Sequence, residues 1–515
     1  MSLVPDRICV IVGRTRHKMV TVELDEAVKR GAKFIELRLD YLAKAVDFQR
    51  LLPMKKCPWV ATLRRRVDGG RWGGTEDERK MVMRQAIVAG FEWVDLETDI
   101  ADEIKRFKDV KRIISYHNFK ETPSDLEGIF RNMLKQDGDI YKVAVMAQSP
   151  ADNMRVLKLI QNSSKPVIAH CMGEMGMPSR ILSLKYGAPF IYAAFNKERG
   201  IAPGLPSMEE VRRDFQVESI NKQTQVFGVL GDPVGHSFSP LLHNQVYKEL
   251  GINAVYLPFR VPRGALPQAL KSFHAIPVDG YSVTIPHKEA AASISSHIDD
   301  RVAETQAANT LVRKSDGFHA FNTDYEAAVD SLQANMPTLE DGHPRALNKC
   351  NAMILGAGGS ARAIAHALHK VGANIKITSR TMDRAMKLAD EVKGKAIEWE
   401  ARHNGECDIL INCTPIGMFP DVDQTPIHHS YLKPDMIVFD IIYTPENTLL
   451  IKNARSRNCK AISGLEMFIR QAAAQIQLFT NQAPDLTQMR EIMRRALSPA
   501  NYTRPQEEEK TEPVE

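Results

Sequence analysis

Short apolar runs recur through the first half of the chain with polar, helix-forming stretches between them. They fall at Ile8–Val12, Phe34–Leu39, Trp59–Leu63, Trp93–Leu96, Arg112–Tyr116, Ile140–Val145, Val167–His170 and Phe190–Ala194. Runs of this length suit buried strands, and their alternation with helical spacers predicts parallel β/α units. Eight such units can close on themselves, so residues 1–219 read as a (β/α)8 TIM barrel.

A polar stretch, Ser219–Gln225, reads as a linker, and beyond it the pattern changes. The apolar run Val226–Leu230 enters a loop punctuated by Gly and Pro, Gly231–Asn244, that ends in a helix start. The segment Gly280–Lys288 puts a lysine where a strand gives way to a helix, and Phe321-Asn322-Thr323-Asp324 ends another strand with an acid. Further on, Asn351–Leu355 feeds Gly356-Ala357-Gly358-Gly359-Ser360-Ala361, an Ala-rich helical run and a second apolar strand at Asn374–Thr378. That order is the dinucleotide fingerprint, because glycines let the backbone approach a pyrophosphate at a helix N-terminus. A carboxylate for a ribose 2′-hydroxyl is missing; the chain offers Ser379, Arg380, Thr381 and Arg384. Cations there suit a 2′-phosphate, so NADP is the expected cofactor.

The fold class is α/β: a TIM barrel fused to a second part with an α/β substrate domain and a Rossmann domain. The Rossmann domain is expected at residues 347–463. It interrupts a substrate domain at residues 226–336 that helices in residues 464–497 complete. Pro337–Leu347 reads as their connector, and Pro499–Glu515, rich in Glu and Pro, as a disordered tail.

Composition narrows the function classes. At 515 residues the chain exceeds one core, and 43% apolar with 25% charged residues is ordinary for a soluble globular protein. A scattered net charge of +5 gives no nucleic-acid footprint. Seven cysteines without a Cys-x-x-Cys pair argue against a disulfide framework or structural zinc, and no metal site is expected. There is no long apolar span and no leader before the strand at Ile8, so a cytoplasmic protein acting on small molecules is expected, without membrane or nucleic-acid partners.

Barrel chemistry belongs at the C-terminal strand ends, where Glu36, Arg38, Asp40, Arg64, Glu97, His117, Lys142 and His170 gather, with Asp68, Arg180 and Lys197 in the loops beyond. An amine inside Ile140-Tyr141-Lys142-Val143-Ala144-Val145 is desolvated, which favours the free nucleophile and a Schiff base with a carbonyl substrate. His117 is the proton-moving partner, with Asp68 placed to orient it. Equally open from the residues alone, Lys142 is a snorkelling strand residue and His117 a structural histidine. In the second part, Lys288 and Asp324 form a proton-transfer pair beside a nicotinamide, or are two solvated charges; Ser237 and Ser239 face one polyol or anion, or cap a helix.

Five segments resemble type I 3-dehydroquinate dehydratase across almost the whole first half: Phe34–Asp40, Thr62-Leu63-Arg64, Ser115–Phe119, Tyr141–Ala144 and Met177–Arg180. The resemblance implies metal-free loss of water from 3-dehydroquinate through an imine at Lys142, with His117 taking the C2 proton and later acting as acid. Glu36, Arg38, Arg64 and Arg180 would hold hydroxyl and carboxylate groups. Asp68 stands where the family usually has Glu. The closing loop, usually Ser-Ala-Pro-Gly-Gln, reads Ile201-Ala202-Pro203-Gly204-Leu205, so two polar contacts become apolar. Losing two hydrogen-bonding groups implies a slow barrel, a less polar substrate, or recruitment of Lys197, Glu198 or Arg199.

The segments Gly231–Asn244, Gly280–Lys288, Ala307–Thr310, Asn322–Asp324, Gly356–Ala361, Asn412–Met418 and Gly464–Phe468 with Gln471 resemble shikimate dehydrogenase. This implies NADPH-dependent reduction of 3-dehydroshikimate to shikimate, with Lys288 and Asp324 catalytic. Ser237, Ser239, Thr284, Asn309, Tyr443 and Gln471 would bind substrate. Gly356, Ala357, Gly358, Gly359, Ser360, Ala361, Ser379, Arg380, Thr381 and Arg384 would bind the cofactor. Ser282 replaces a frequent Asn and Tyr325 a frequent Gly, which leaves quinate as a secondary substrate. The expected protein is a bifunctional shikimate-pathway enzyme. The competing readings are a dehydrogenase with an impaired or altered barrel, and a metabolite-sensing regulator.

Overall fold

The computed structural model describes residues 3–274, 276–338, 344–404 and 406–498. The tail expected at Pro499–Glu515 and part of the connector Pro337–Leu347 lie outside these residues, as does the side chain of Arg199. The chain forms two compact units, one ending at Tyr281 and the other beginning at Ser282.

The first unit opens with eight parallel strands: β1 (Ile8–Val12), β2 (Ile35–Arg38), β3 (Trp59–Thr62), β4 (Trp93–Glu97), β5 (Lys111–Asn118), β6 (Ile140–Met146), β7 (Val167–Met172) and β8 (Ile191–Ala194). Each neighbours the next in sequence, and β1 also pairs with β8, giving the near-closed order β7-β6-β5-β4-β3-β2-β1-β8. Because side chains alternate along a strand, one inward layer fixes the next. Phe34, Val60, Trp93, Ile113, Ile140 and Ile168 share one apolar cluster inside the barrel. Two residues further along the same strands stand Glu36, Thr62, Asp95, Ser115, Lys142 and His170, all buried. The apolar layer is thus a floor, and the polar layer above it faces the C-terminal end.

The segment read as a linker is tied down. Arg7 Nη1 donates to the carbonyls of Ile220 (2.6 Å) and Glu218 (3.1 Å), and Lys185 Nζ to those of Lys222 and Thr224, both at 2.8 Å. It leads into β9 (Gln225–Gly231), which pairs in parallel with β10 (Ala254–Arg260); β11 (Val278–Val283) lies on the other side of β9.

The second unit holds β12 (His297–Ile298), β13 (Thr310–Lys314) and β14 (Gly317–Phe321). The last two are antiparallel, with β12 parallel to β14. Six parallel strands follow: β15 (Asn351–Leu355), β16 (Asn374–Thr378), β17 (Lys395–Ile397), β18 (Ile409–Asn412), β19 (Ile437–Asp440) and β20 (Lys460–Ile462). Their order, β17-β16-β15-β18-β19-β20, reverses direction beside β15, and such a switch point opens a crevice at the strand C-termini. Apolar clusters cover both faces of this sheet, one built on Ile354, Ile364 and Ile411, the other on Leu355, Leu410 and Val438. Among the described residues no helix is long and apolar enough to cross a membrane.

Candidate active sites

Above the barrel floor, β6 delivers Lys142 into a ring of charge. The residue is 5% exposed. Its ammonium donates to Asp95 Oδ2 at 2.9 Å, lies 3.8 Å from Glu36 Oε1 and sits 4.0 Å over the Tyr192 ring. This corrects the picture of an amine isolated in an apolar strand: its neighbours along β6 are apolar, but those across the barrel carry opposite charge. Burial alone would raise the Asp95 carboxyl, yet Arg64 and Lys142 outweigh it and hold it below the usual carboxylate range.

Arg64 is the hub of the ring. Its guanidinium lies 3.0 Å from both Asp95 Oδ1 and Glu97 Oε1, and its Nη1 is 2.7 Å from His117 Nδ1. A guanidinium can only donate, so Nδ1 accepts and the ring proton is assigned to Nε2. Burial, then Arg64 and Lys142, push His117 well below an ordinary imidazole, and the ring is neutral. Asp68 is held elsewhere: it closes a 3-10 turn and accepts from Arg65 Nε at 2.7 Å. Arg38 is engaged by Asp40 through two bonds of 2.8 Å.

Arg180 is the exception among these cations. It is 2% exposed, its Nε and Nη2 have no hydrogen-bond partner among the described residues, and burial pulls it down to about 10. A buried guanidinium without a counter-ion is costly, and this one lines the same pocket as Lys142, His117 and Arg64. The site therefore offers a docking point for an anion such as a carboxylate. Ile201 and Leu205 line the same pocket and pack on the apolar floor cluster. Gly204 between them has φ +66°, and a Cβ there would come within 2.7 Å of the Gly173 carbonyl, so this tight loop requires glycine. Lys197 pairs with Glu210 at 2.8 Å, and Glu198 accepts from Asn196 at 3.4 Å.

The second constellation lies in the unit that begins at Ser282. Lys288 opens the helix Lys288–Ile294, and Asp324 opens the helix Asp324–Gln333, where the helix dipole favours its charge. The two are joined: Nζ donates to Asp324 Oδ2 at 2.5 Å, with both side chains largely buried. The other carboxylate oxygen accepts from Asn309 Nδ2 at 3.0 Å. Asn309 is itself fixed, since its Oδ1 accepts from Thr323 N and Thr310 Oγ1 at 2.9 and 2.8 Å. Gln471 donates from Nε2 to Phe468 O and accepts at its carbonyl from Thr323 Oγ1. Tyr443 stacks on Phe468 at 4.3 Å, and Thr284 O accepts from His287 N. In the first unit, Ser237 Oγ accepts from Ser239 N at 3.2 Å, a turn-closing use of that hydroxyl.

Sequence reasoning missed three participants. Asp95 shares its strand face with Glu97, and alternate acids in Trp93-Val94-Asp95-Leu96-Glu97 were the available signal. Arg79 is fully buried against Glu97 (2.9 Å), although its helix segment reads as a solvated charge run. Gln475 lies four residues after Gln471, on the same helix face; its amide donates to Asn309 O and accepts from Ser282 Oγ at 2.6 Å.

The glycine-rich loop follows β15 at the switch point. Gly356 has φ +113°, and a Cβ there would lie 3.0 Å from Cys413 O; a Cβ on Gly358 would meet nothing within 4 Å. The helix Gly359–Lys370 starts directly behind, which leaves an open backbone cradle at a helix N-terminus. Past β16, Arg380, Thr381 and Arg384 are exposed, and among the described residues neither arginine makes an ion pair. A pyrophosphate cradle flanked by two uncommitted cations fits NADP.

A buried lysine among carboxylates in a barrel and a lysine-carboxylate pair in the part that carries the dinucleotide loop go with two enzymes, a lyase and an NADP-dependent oxidoreductase. The family profile of type I 3-dehydroquinase matches residues 8–222, and that of the shikimate dehydrogenase substrate binding domain residues 229–311. The shikimate/quinate 5-dehydrogenase profile matches residues 340–441 and the shikimate 5′-dehydrogenase C-terminal domain residues 464–494. The chain is 33% identical over 497 residues to the chloroplastic bifunctional 3-dehydroquinate dehydratase/shikimate dehydrogenase of Arabidopsis thaliana, covering 92% of this chain and 82% of that one. It is 32% identical to the shikimate biosynthesis protein AroDE of Chlamydia pneumoniae, over 75% of this chain and 78% of that one. A solved shikimate dehydrogenase in complex with NADP+ superposes with a TM-score of 0.50 at 34% identity, covering 54% of this chain and 98% of that chain. The chain belongs to the family of bifunctional 3-dehydroquinate dehydratase/shikimate dehydrogenases.

Proposed function

We propose that the barrel dehydrates 3-dehydroquinate and that the second part reduces the resulting 3-dehydroshikimate to shikimate with NADPH. The observation that carries the first half is the buried Lys142 beside the unpartnered Arg180. The substrate carboxylate docks on Arg180, which brings its ketone to Lys142 Nζ. The amine adds to the carbonyl and water leaves, giving the imine. His117 removes the C2 proton, the C1 hydroxyl departs as water with a proton from the same ring, and hydrolysis of the imine returns the ketone and the amine.

In the unliganded arrangement Arg64 occupies the lone pair of His117 Nδ1. Turning Arg64 toward a substrate oxygen frees that lone pair, so the base is released as the substrate arrives. Asp68 reaches the imidazole only by leaving Arg65, and its orienting role belongs to that liganded arrangement. Glu36 and Arg38, held by Thr62 and Asp40, are the fixed hydroxyl-binding edge.

In the second site NADPH supplies the hydride. Lys288 directs a proton to the substrate oxygen while Asp324 holds the ammonium and Asn309 holds Asp324. Ser237, Ser239, Thr284, Tyr443 and Gln471 contact the substrate. Ser379, Arg380, Thr381 and Arg384 hold the 2′-phosphate side of the cofactor, and residues 356–361 its pyrophosphate. One observation favours a variation: the apolar wall of Ile201 and Leu205 suits a barrel that is slow with the polar substrate or takes a less polar one. Seven free cysteines suit a reducing compartment, and we assign the protein to the cytoplasm.

The decisive experiment is borohydride reduction in the presence of 3-dehydroquinate. A stable adduct on the peptide carrying Lys142, absent in Lys142→Ala, is expected. Turnover of 3-dehydroquinate with no adduct at Lys142 contradicts the mechanism.

A further inference from the structure

Ser360 is the second residue of the helix Gly359–Lys370, where a serine is normally a solvated or capping side chain. The N-cap of this helix is Gly358, which makes no side-chain cap bond, and Ser360 does something else. Its Oγ accepts from Lys288 Nζ at 2.9 Å. The same loop grips the stem of that lysine: a Cβ on Gly359 would lie 3.1 Å from Lys288 Cδ and 3.4 Å from its Cβ. The helix that carries Ser360 is also bolted to the Asp324 helix and to the preceding helix Asp300–Thr305. Tyr325, next to Asp324, donates from its hydroxyl to His366 O at 3.3 Å, and Arg362 Nε donates to Thr305 O at 2.8 Å.

An ammonium has three N–H groups and swings freely about its last bond. Asp324 fixes one of the three and Ser360 a second, from two separate helix starts. The third is left with one direction to point. We propose that Ser360 is a positioning residue for Lys288, so that the glycine-rich loop aims the proton-transferring ammonium as well as cradling the cofactor. The proposal rests on the dehydrogenase reading above. It assigns to the serine hydroxyl a partner in catalysis, where the fingerprint alone assigns only its backbone a place near the pyrophosphate.

The test compares Ser360→Ala and Ser360→Thr in the full-length protein. Loss of one hydrogen bond to a charged group predicts a fall of about tenfold in kcat for shikimate oxidation in Ser360→Ala. The shikimate KM and the NADP+ dissociation constant, the latter by titration calorimetry, stay within about twofold. Ser360→Thr keeps the hydroxyl and restores kcat. A second readout needs no cofactor: acylation of Lys288 by a limiting amine reagent, followed by mass spectrometry on the free protein, runs several-fold faster in Ser360→Ala and at the wild-type rate in Ser360→Thr. Weaker NADP+ binding with unchanged kcat and unchanged Lys288 labelling overturns the proposal, as does a Thr variant as impaired as the Ala variant. Wild-type protein without NADP-linked turnover would sink the dehydrogenase reading instead, while the labelling rates still report on Ser360.

Discussion

The two lysines proposed to be catalytic are handled in opposite ways. Lys142 is surrounded by carboxylates and a ring face within a buried lattice of charge. Lys288 has one carboxylate and one hydroxyl at the mouth of a helix. The histidine beside Lys142 bears the consequence for pH. Burial, Arg64 and Lys142 all disfavour its protonated form, so its pKa lies below the ordinary value of about 6.5 and the base survives as pH falls. The acidic limb of kcat/KM for water elimination is therefore expected below pH 6.5. A limb at or above that value would mean that the imidazole does not feel these cations. On the cofactor side, Arg380→Asp replaces an uncommitted cation with the carboxylate that a ribose hydroxyl prefers. The ratio of kcat/KM for NADPH over NADH should fall by about a hundredfold, in keeping with a lost charge-assisted contact and a gained repulsion. An unchanged ratio removes Arg380 from the phosphate site.

At the scale of elements, the strands were legible because each barrel run is apolar, short and bounded by helical spacers. The polar layer above the floor was legible only in part, for a reason visible in the register. Lys142 and His117 stand out in apolar strands, whereas the alternate acids of β4 acquire a partner only when β4 and β6 are seen to flank β5, which brings Asp95 to Lys142. Gln475 gave no signal for the same reason, since its partners, Ser282 and Asn309, lie far away in the chain. Asp68 shows the limit of motif reasoning: the sequence sets it to orient His117, but its carboxylate is held by Arg65. The loop Ile201–Leu205 is the element whose chemistry can be rewritten. Ile201→Ser with Leu205→Gln should raise kcat/KM for 3-dehydroquinate at least tenfold by giving the pocket wall two hydrogen-bonding groups. It should also lower the Tm by a few degrees, because both side chains leave the floor cluster. A rate that does not change would show that this wall does not limit the barrel.

For the whole molecule, the two reactions are predicted to be separable in function. Lys288→Ala should abolish NADPH oxidation with 3-dehydroshikimate and leave water elimination within about twofold, since Lys288 belongs to the other unit and has no share in the charge ring around Lys142. Loss of both activities would contradict independent sites. Separable in function is not the same as separable in architecture. The segment that looks like a tether is held by Arg7 and Lys185, and the compact unit that begins with the barrel does not stop where the barrel does: it carries β9, β10 and most of β11 with it, to Tyr281. A gene cut at the apparent seam near residue 222 would part β9, β10 and most of β11 from the barrel with which they share one compact unit. Such halves cannot be traded as cassettes between unrelated fusions, and a recombinant that swaps barrels at that point inherits a mismatched joint rather than a clean one.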